Sequence, residues 1–447
     1  MMTHSTLWLA ELQFFLSLGF MALFFAIELG LSWVLFVFRL RSLGKAAAIW
    51  LDVYRTWVRV FALAFVLSFA ASIPVFLLLG GLWPQFLSMT APLGSPLLAA
   101  LIVTTLIFKS SALGLMLYAQ RRIPGWAHTL VVGAVALLNT GLMVLLLGWV
   151  SWLHHPVGAQ WADGVLLAVD WAQVFSNPLL LWYGLLFVGA SVLLVGCLVQ
   201  ALIFWRSLRR PAGESERRAF RFILFCTLAG WLLILAGVWG HGLWLAGHQA
   251  YKAAAMAGHW DSAAPLRWLL AAWADEEQQR HRFSLGIPLR QTWWLATAGP
   301  QQFIGLDKSV GMLPPVNAVF WSFRVALLLG GLIGLLQGRT LWLALRRHFD
   351  PGLLGTVWRR LLLSLPFLAA LLLWAGMTYQ LLGVLPYAVY NVLTTSDLYA
   401  HLPFGWLSTA LIAMVVLYGL AIIGFVSLVH YVARHGVIPV ARHRGRA

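Results

Sequence analysis

The sequence predicts an all-α polytopic membrane protein of about nine transmembrane helices, with one long extracytoplasmic loop. Three observations carry this. Of 447 residues 61% are hydrophobic and only 10% charged, with a mean hydropathy of +0.85; soluble domains carry about 25% charged residues. The apolar runs are ~20 residues or longer, enough to cross a bilayer as helices. They are too long and too uniform for barrel strands that alternate over ~10 residues. The third observation is where the charge lies. The net +16 sits mainly in short connections between apolar runs, where it sets topology, and this excludes a nucleic-acid-binding surface.

In order, the spans fall at 14–38, 57–83, 96–118, 129–150, from Asn177-Pro178 to Trp205, then 222–240, 316–338, 361–383 and 404–432. No basic region precedes the first run, so it reads as a span and not a cleaved signal. Arg39, Arg41 and Lys45 follow the first span; Arg121 and Arg122 follow the third. Arg206, Arg209, Arg210, Arg217, Arg218 and Arg221 follow the fifth. Arg339, Arg346, Arg347, Arg359 and Arg360 follow the seventh, and Arg434, Arg442, Arg444 and Arg446 fill the tail. All these connections lie on one side of a nine-span chain, which the positive-inside rule makes cytoplasmic. The expected location is a bacterial or archaeal plasma membrane, with the N-terminus outside. Trp33, Trp57, Trp83, Trp126, Trp149, Trp152, Trp205, Trp239 and Trp244 lie near span ends and read as interfacial anchors. Cys197 and Cys226 lie in apolar runs and read as small core residues.

Three regions follow: 1–240 with six spans, 241–315 as the loop, and 316–447 with three spans and a basic tail. The loop exceeds the ~15 residues of ordinary connections. It interleaves Lys252, Asp261, Arg267, Asp275, Glu276, Glu277, Arg280, Arg282, Arg290, Asp307 and Lys308 with Trp260, Trp268, Trp273, Trp293 and Trp294. That mixture predicts a folded segment docked on the helices.

Charges inside spans are functional candidates, because a charge at the bilayer centre costs ~2.5–3.5 kcal/mol or more. Glu28 and Lys109 lie within the first and third spans. Each is expected to be neutralised, by the other or across a subunit interface, and a functional role stays open for both. Arg324 lies early in the seventh span and either snorkels outward or serves a function. None of the thirteen histidines lies mid-span, so His154, His155, His241 and His248 read as polar residues of the membrane edge. No CxxCH, HExxH or zinc spacing occurs, and no metal site is expected.

Several stretches, in order, resemble subunit I of the cytochrome bd-type quinol oxidases. Glu11-Leu12-Gln13-Phe14 is similar to that family's RLQF, Gly94-Ser95-Pro96-Leu97 to GAPL, and Trp152 to Gly158 to WMQNPVG. Asn177-Pro178 stands at its NP. Lys252 to Trp260 resembles KLAAMEGxW of its quinol-binding loop, followed by Ile287-Pro288 and Ile304-Gly305-Leu306 for IP and IGL. Phe323-Arg324 matches the start of FRIM. Val384-Leu385-Pro386 and Leu393 to Leu398 resemble VLPTAV and SLTAGDL.

The resemblance implies the nine-span fold and respiratory quinol chemistry, but the family's haem ligands are replaced. The first-span histidine falls on Met21, the histidine after NP on Leu186, and the methionine of FRIM on Ala326. The second proton-path acid of the third span falls on Lys109, the loop glutamate on Ala257, and GRQPW has no counterpart near Leu373–Tyr379. Leucine and alanine offer iron no donor, and Met21 is a weak one. The expectation is therefore a haem-poor, subunit-I-like component beside a haem-bearing or subunit-II-like membrane partner. No haem is expected at family positions; haem b would need non-family ligands or a subunit boundary. Quinone binding is expected at most, at Lys252 and Trp260, with Lys252 charged at neutral pH and unable to accept a proton. No catalytic residue is assigned. The alternatives are a catalytic subunit with relocated ligands, or a transporter or lipid-interacting protein on a reused fold.

Overall fold

The computed structural model describes residues 2–264, 266–287, 303–309 and 311–435. Pro288, Arg290, Trp293, Trp294, Arg442, Arg444 and Arg446 lie outside the described residues. Among the described residues nine helices are long and apolar enough to cross a membrane. In chain order the helices are α1 (Met2–Arg41), α2 (Ala47–Leu82), the short α3 (Pro84–Met89), α4 (Ala91–Tyr118) and α5 (Gly125–His154). A hairpin, β1 (Ala159–Ala162) with β2 (Val165–Ala168), and the short α6 (Trp171–Phe175) lead to α7 (Pro178–Ser207). Then come α8 (Glu214–His248), α9 (Ala250–Ala257) and a second hairpin, β3 (Trp268–Asp275) with β4 (Arg280–Ile287). The chain closes with α10 (Val316–Arg346), α11 (Thr356–Leu361), α12 (Leu365–Leu382), a third small hairpin of β5 (Tyr387–Val389) and β6 (Leu393–Thr394), α13 (Thr395–Leu398) and α14 (Phe404–His435).

The centre of the bundle is α1 and α7, whose most apolar windows are 78% and 72% buried, against 11% for α14. Apolar side chains gain little by leaving lipid for protein, so close backbone approach at small residues supplies much of the packing. A Cβ at Gly30 of α1 would lie 2.6 Å from the Ser191 carbonyl of α7, and one at Gly189 would lie 2.9 Å from the Gly230 carbonyl of α8. A hydrogen bond from Gln200 Nε2 to Thr227 Oγ1, 2.8 Å, joins α7 to α8 inside the apolar interior.

Most of the helices overrun the predicted spans, most tellingly α8, which continues to His248 instead of stopping at 240. Polarity begins there, but packing does not end: Trp182 of α7 lies over Gly240, and His241 is buried. The loop therefore starts at Gln249, and its described parts are folded. The tryptophans divide. Trp126 and Trp239 are exposed as anchors would be, whereas Trp57, Trp83, Trp149 and Trp152 are buried, because neighbouring elements cover them. Cys197 and Cys226 are free thiols.

Candidate functional site

The loop site is built on α9. Gly258 ends this helix in the left-handed conformation, φ +70°, which glycine adopts without strain. The chain then turns so that His259 and Trp260 lie along residues 306–307. The Leu306 amide donates to the His259 carbonyl at 3.1 Å and the Asp307 amide to the Trp260 carbonyl at 3.0 Å. Two motif-like stretches far apart in sequence are thus paired through backbone.

On the other side the β3–β4 hairpin docks on α10. Asn317 bonds both the amide and the carbonyl of Ala274, at 2.8 and 2.9 Å. Glu276 accepts the Val316 amide at the start of α10, 2.9 Å, where a carboxylate also suits the helix dipole. The Arg282 guanidinium donates to Asp275 at 2.9 Å and holds its carboxyl below the usual carboxylate range.

Arg324 does not snorkel. It is buried and turned into the loop, with Nε and Nη2 donating to the Leu269 carbonyl at 3.2 and 2.9 Å. Nη1 bonds the Met256 carbonyl at the end of α9, and the guanidinium lies 3.4 Å from the Phe320 ring centroid. The carbonyls of α9 and β3 supply the acceptors that water would have offered at the interface. One arginine thus clamps α9, β3 and α10 together. Hydrogen bonds to a charged group contribute about 1.5–3 kcal/mol each, and lysine lacks the planar fork. Arg324→Lys is therefore expected to free the hairpin locally. Amide hydrogen exchange across 268–275 should accelerate at least tenfold while the spans stay protected; unchanged exchange would mean Asn317 and Glu276 suffice.

Lys252 is fully buried. Its ammonium donates to Gln380 Oε1 at 2.6 Å and to the Gln380 carbonyl at 3.2 Å, and it lies 5.0 Å from the Tyr379 ring centroid. Gly383 leaves room for its stem, since a Cβ there would come within 2.9 Å of Lys252 Cγ and Cδ. These partners are neutral, and burial pushes the amine down to about 7. This corrects the expectation of a fixed positive charge: near neutrality Lys252 both donates and accepts a proton.

Trp260 is buried in the same cluster as Tyr379 and Phe323. Its indole N–H has no acceptor among the described residues, nor has His259 Nε2 a partner. The sequence reading missed the histidines behind this site. His154 and His241 are buried, not at an open edge. His154 Nδ1 bonds the Tyr183 hydroxyl at 2.6 Å, and the Tyr183 ring packs near both histidines, with centroid distances of 5.6 and 5.8 Å. The signal available was the extension of α5 and α8 past the apolar runs, which hydropathy does not report.

The second constellation lies within the spans. Lys109 and Ser68 both bond the Glu28 carboxylate, Lys109 also bonds Ser68 at 2.7 Å, and all three are buried. Lys109 further lies 4.2 Å from the Phe65 ring centroid. Met21 is buried nearby and contributes to the wall of a cavity between α1, α2, α4 and α5.

Residues 9–437 match the family described as cytochrome bd terminal oxidase subunit I. The chain is 24% identical to cytochrome bd-II ubiquinol oxidase subunit 1 of Escherichia coli (strain K12), over 96% of each protein. It is also 24% identical to cytochrome bd ubiquinol oxidase subunit 1 of Bacillus subtilis (strain 168), over 88% of this chain and 86% of that protein. Its fold is similar to that of the bd oxidase from Geobacillus thermodenitrificans, with a TM-score of 0.84 at 19% identity over 96% of this chain and 99% of that one.

The resemblance places the family's haem ligands at Met21, Leu186 and Ala326. Leu186 packs on Gly237, whose Cβ would meet its Cγ at 2.9 Å, and neither Leu186 nor Ala326 carries a donor atom. Among the described residues no three or more His, Cys, Asp or Glu side chains converge as a metal site. By its match over nearly the whole length, the chain belongs to the cytochrome bd terminal oxidase subunit I family.

Proposed function

We propose that this chain is a haem-poor, subunit-I-like component of a bd-type respiratory quinol oxidoreductase complex. It completes a quinone site under the docked loop and works beside a haem-bearing or subunit-II-like membrane partner. The observation that carries the reading is the contrast between two sets of residues. The positions that the resemblance gives to haem ligands hold Met21, Leu186 and Ala326, while Lys252 of the packed loop and Arg324 of α10, which bonds that loop, are kept.

The Trp260 N–H, without an acceptor, and the Lys252 amine supply donors suited to quinone carbonyl oxygens. Quinol oxidation releases two protons and two electrons. Lys252 can take one proton near pH 7, but these residues offer no electron acceptor, so electrons would leave through the partner. Relocated histidine ligands are a poorer reading, because His154 Nδ1 is already bonded to the Tyr183 hydroxyl.

The test is a reduced-minus-oxidised spectrum with haem extraction on the chain purified away from its partners, for which no stoichiometric haem b is expected. Stoichiometric haem b abolished by Met21→Ala would replace this proposal with a re-ligated oxidase subunit. Quinol turnover unchanged by Lys252→Ala in the intact complex would remove the quinone role.

We also propose that the loop is extracytoplasmic and the arginine-rich connection between α7 and α8 cytoplasmic. Cysteines placed at Ser284 and Ser215 should react with impermeant reagents from opposite sides. Labelling of both from one side would overturn the topology.

A further inference from the structure

The cavity between α1, α2, α4 and α5 has a volume of about 250 Å³ and is lined almost entirely by apolar side chains. Its walls run from Glu11 to Phe25 along α1 and from Leu142 to His154 along α5. At the rise of an α-helix these are lengths of ~21 and ~18 Å, so the space is elongated. It lies against α4, whose most apolar window is only 28% buried within the chain.

The polar groups of the wall are mostly engaged already. Glu11 accepts from Thr395 at 2.7 Å, Ser72 donates to the Phe69 carbonyl at 2.7 Å, His154 is bonded to Tyr183, and Lys109 and Ser68 are held by Glu28. Apart from the Trp83 indole N–H, which has no acceptor among the described residues, the wall offers a ligand's own polar groups little. Apolar cavities do not hold water well and take apolar guests readily, as smaller engineered ones show, and leaving one empty destabilises the fold in proportion to its volume.

We infer that this cavity binds a single long aliphatic chain, acyl or isoprenoid, drawn from the bilayer. Its length and its apolar walls fit one extended chain. Phe69, Phe76, Leu79 and Leu146 line the cavity and would contact the chain, as would Lys109. The inference rests on the cavity alone and is independent of the quinone site at the loop.

The experiment uses the full chain in nanodiscs of defined phospholipid, with and without an isoprenoid quinone. After extraction into detergent and extensive delipidation, native mass spectrometry should show one retained chain-bearing molecule per protein. Its mass distinguishes the acyl from the isoprenoid source. Ser72→Trp and Leu146→Trp, each filling the slot, should lower retention at least tenfold without lowering the thermal transition. A phospholipid with a diazirine on its acyl chain and an isoprenoid quinone with one on its tail, each used on the wild-type chain, should between them label Phe76 and Leu146 as well as the outward-facing Leu77, which is 70% exposed. Labelling confined to outward-facing residues, equal retention in both variants, no retained molecule, or a stoichiometric haem lost from the filled variants would each overturn the inference. The labelling decides the matter even if both variants fail to fold.

Discussion

Lys109→Ala is expected to destabilise the chain by about 3–5 kcal/mol, because it leaves a buried carboxylate without its counter-charge. Glu28 is held by Lys109 and Ser68, and water does not reach it. Removing Lys109 keeps the desolvation cost of Glu28 and discards the attraction that offset it. Glu28→Ala should cost a similar amount for the mirrored reason. The double replacement Glu28→Gln with Lys109→Met removes both charges and should cost less than either single change, since apolar replacement of a buried pair is often neutral or better. The measurement is thermal or denaturant unfolding in micelles, followed by circular dichroism, on all three variants. A loss below about 1 kcal/mol for Lys109→Ala would mean that water enters through the adjacent cavity and solvates Glu28.

A second large effect is expected from Lys252, and its sign follows from the depressed amine. In the unfolded chain Lys252 titrates near 10.5, and in the docked loop near 7. Between these values the unfolded state binds the proton and the folded state does not, so stability rises with pH across that window. Above about 10.5 both states are neutral, and the amine contributes no penalty. Below about 7 both are charged, and the full desolvation penalty stands, at most about 5 kcal/mol for a shift of this size. Lys252→Met should therefore stabilise the loop most at pH 7 and below, and should flatten the rise toward pH 10. Hydrogen exchange of 250–257, measured against pH and corrected for intrinsic rates, follows this locally. An identical pH profile in the variant would mean that Gln380 and nearby carbonyls solvate the ammonium as well as water does.

The spans were legible in the sequence because hydropathy is local and additive: twenty neighbouring side chains suffice to place a helix in a membrane. The arginine-rich connections were legible for the same reason.

What local windows do not contain is the rotation and tilt of one helix against another, and tertiary packing decided the rest. It joined Glu28 to Lys109 and Ser68 from three different helices. It set Lys252 against Gln380 and Tyr379, more than a hundred residues away, and so turned an expected fixed charge into a titrating amine. It drew Arg324 inward by offering carbonyls of α9 and β3. It buried His154 and His241 by carrying α5 and α8 past their apolar runs. A hydropathy window reports where a side chain can be dissolved; its partner there depends on which helix face it occupies and on what the neighbouring helix brings to the same depth.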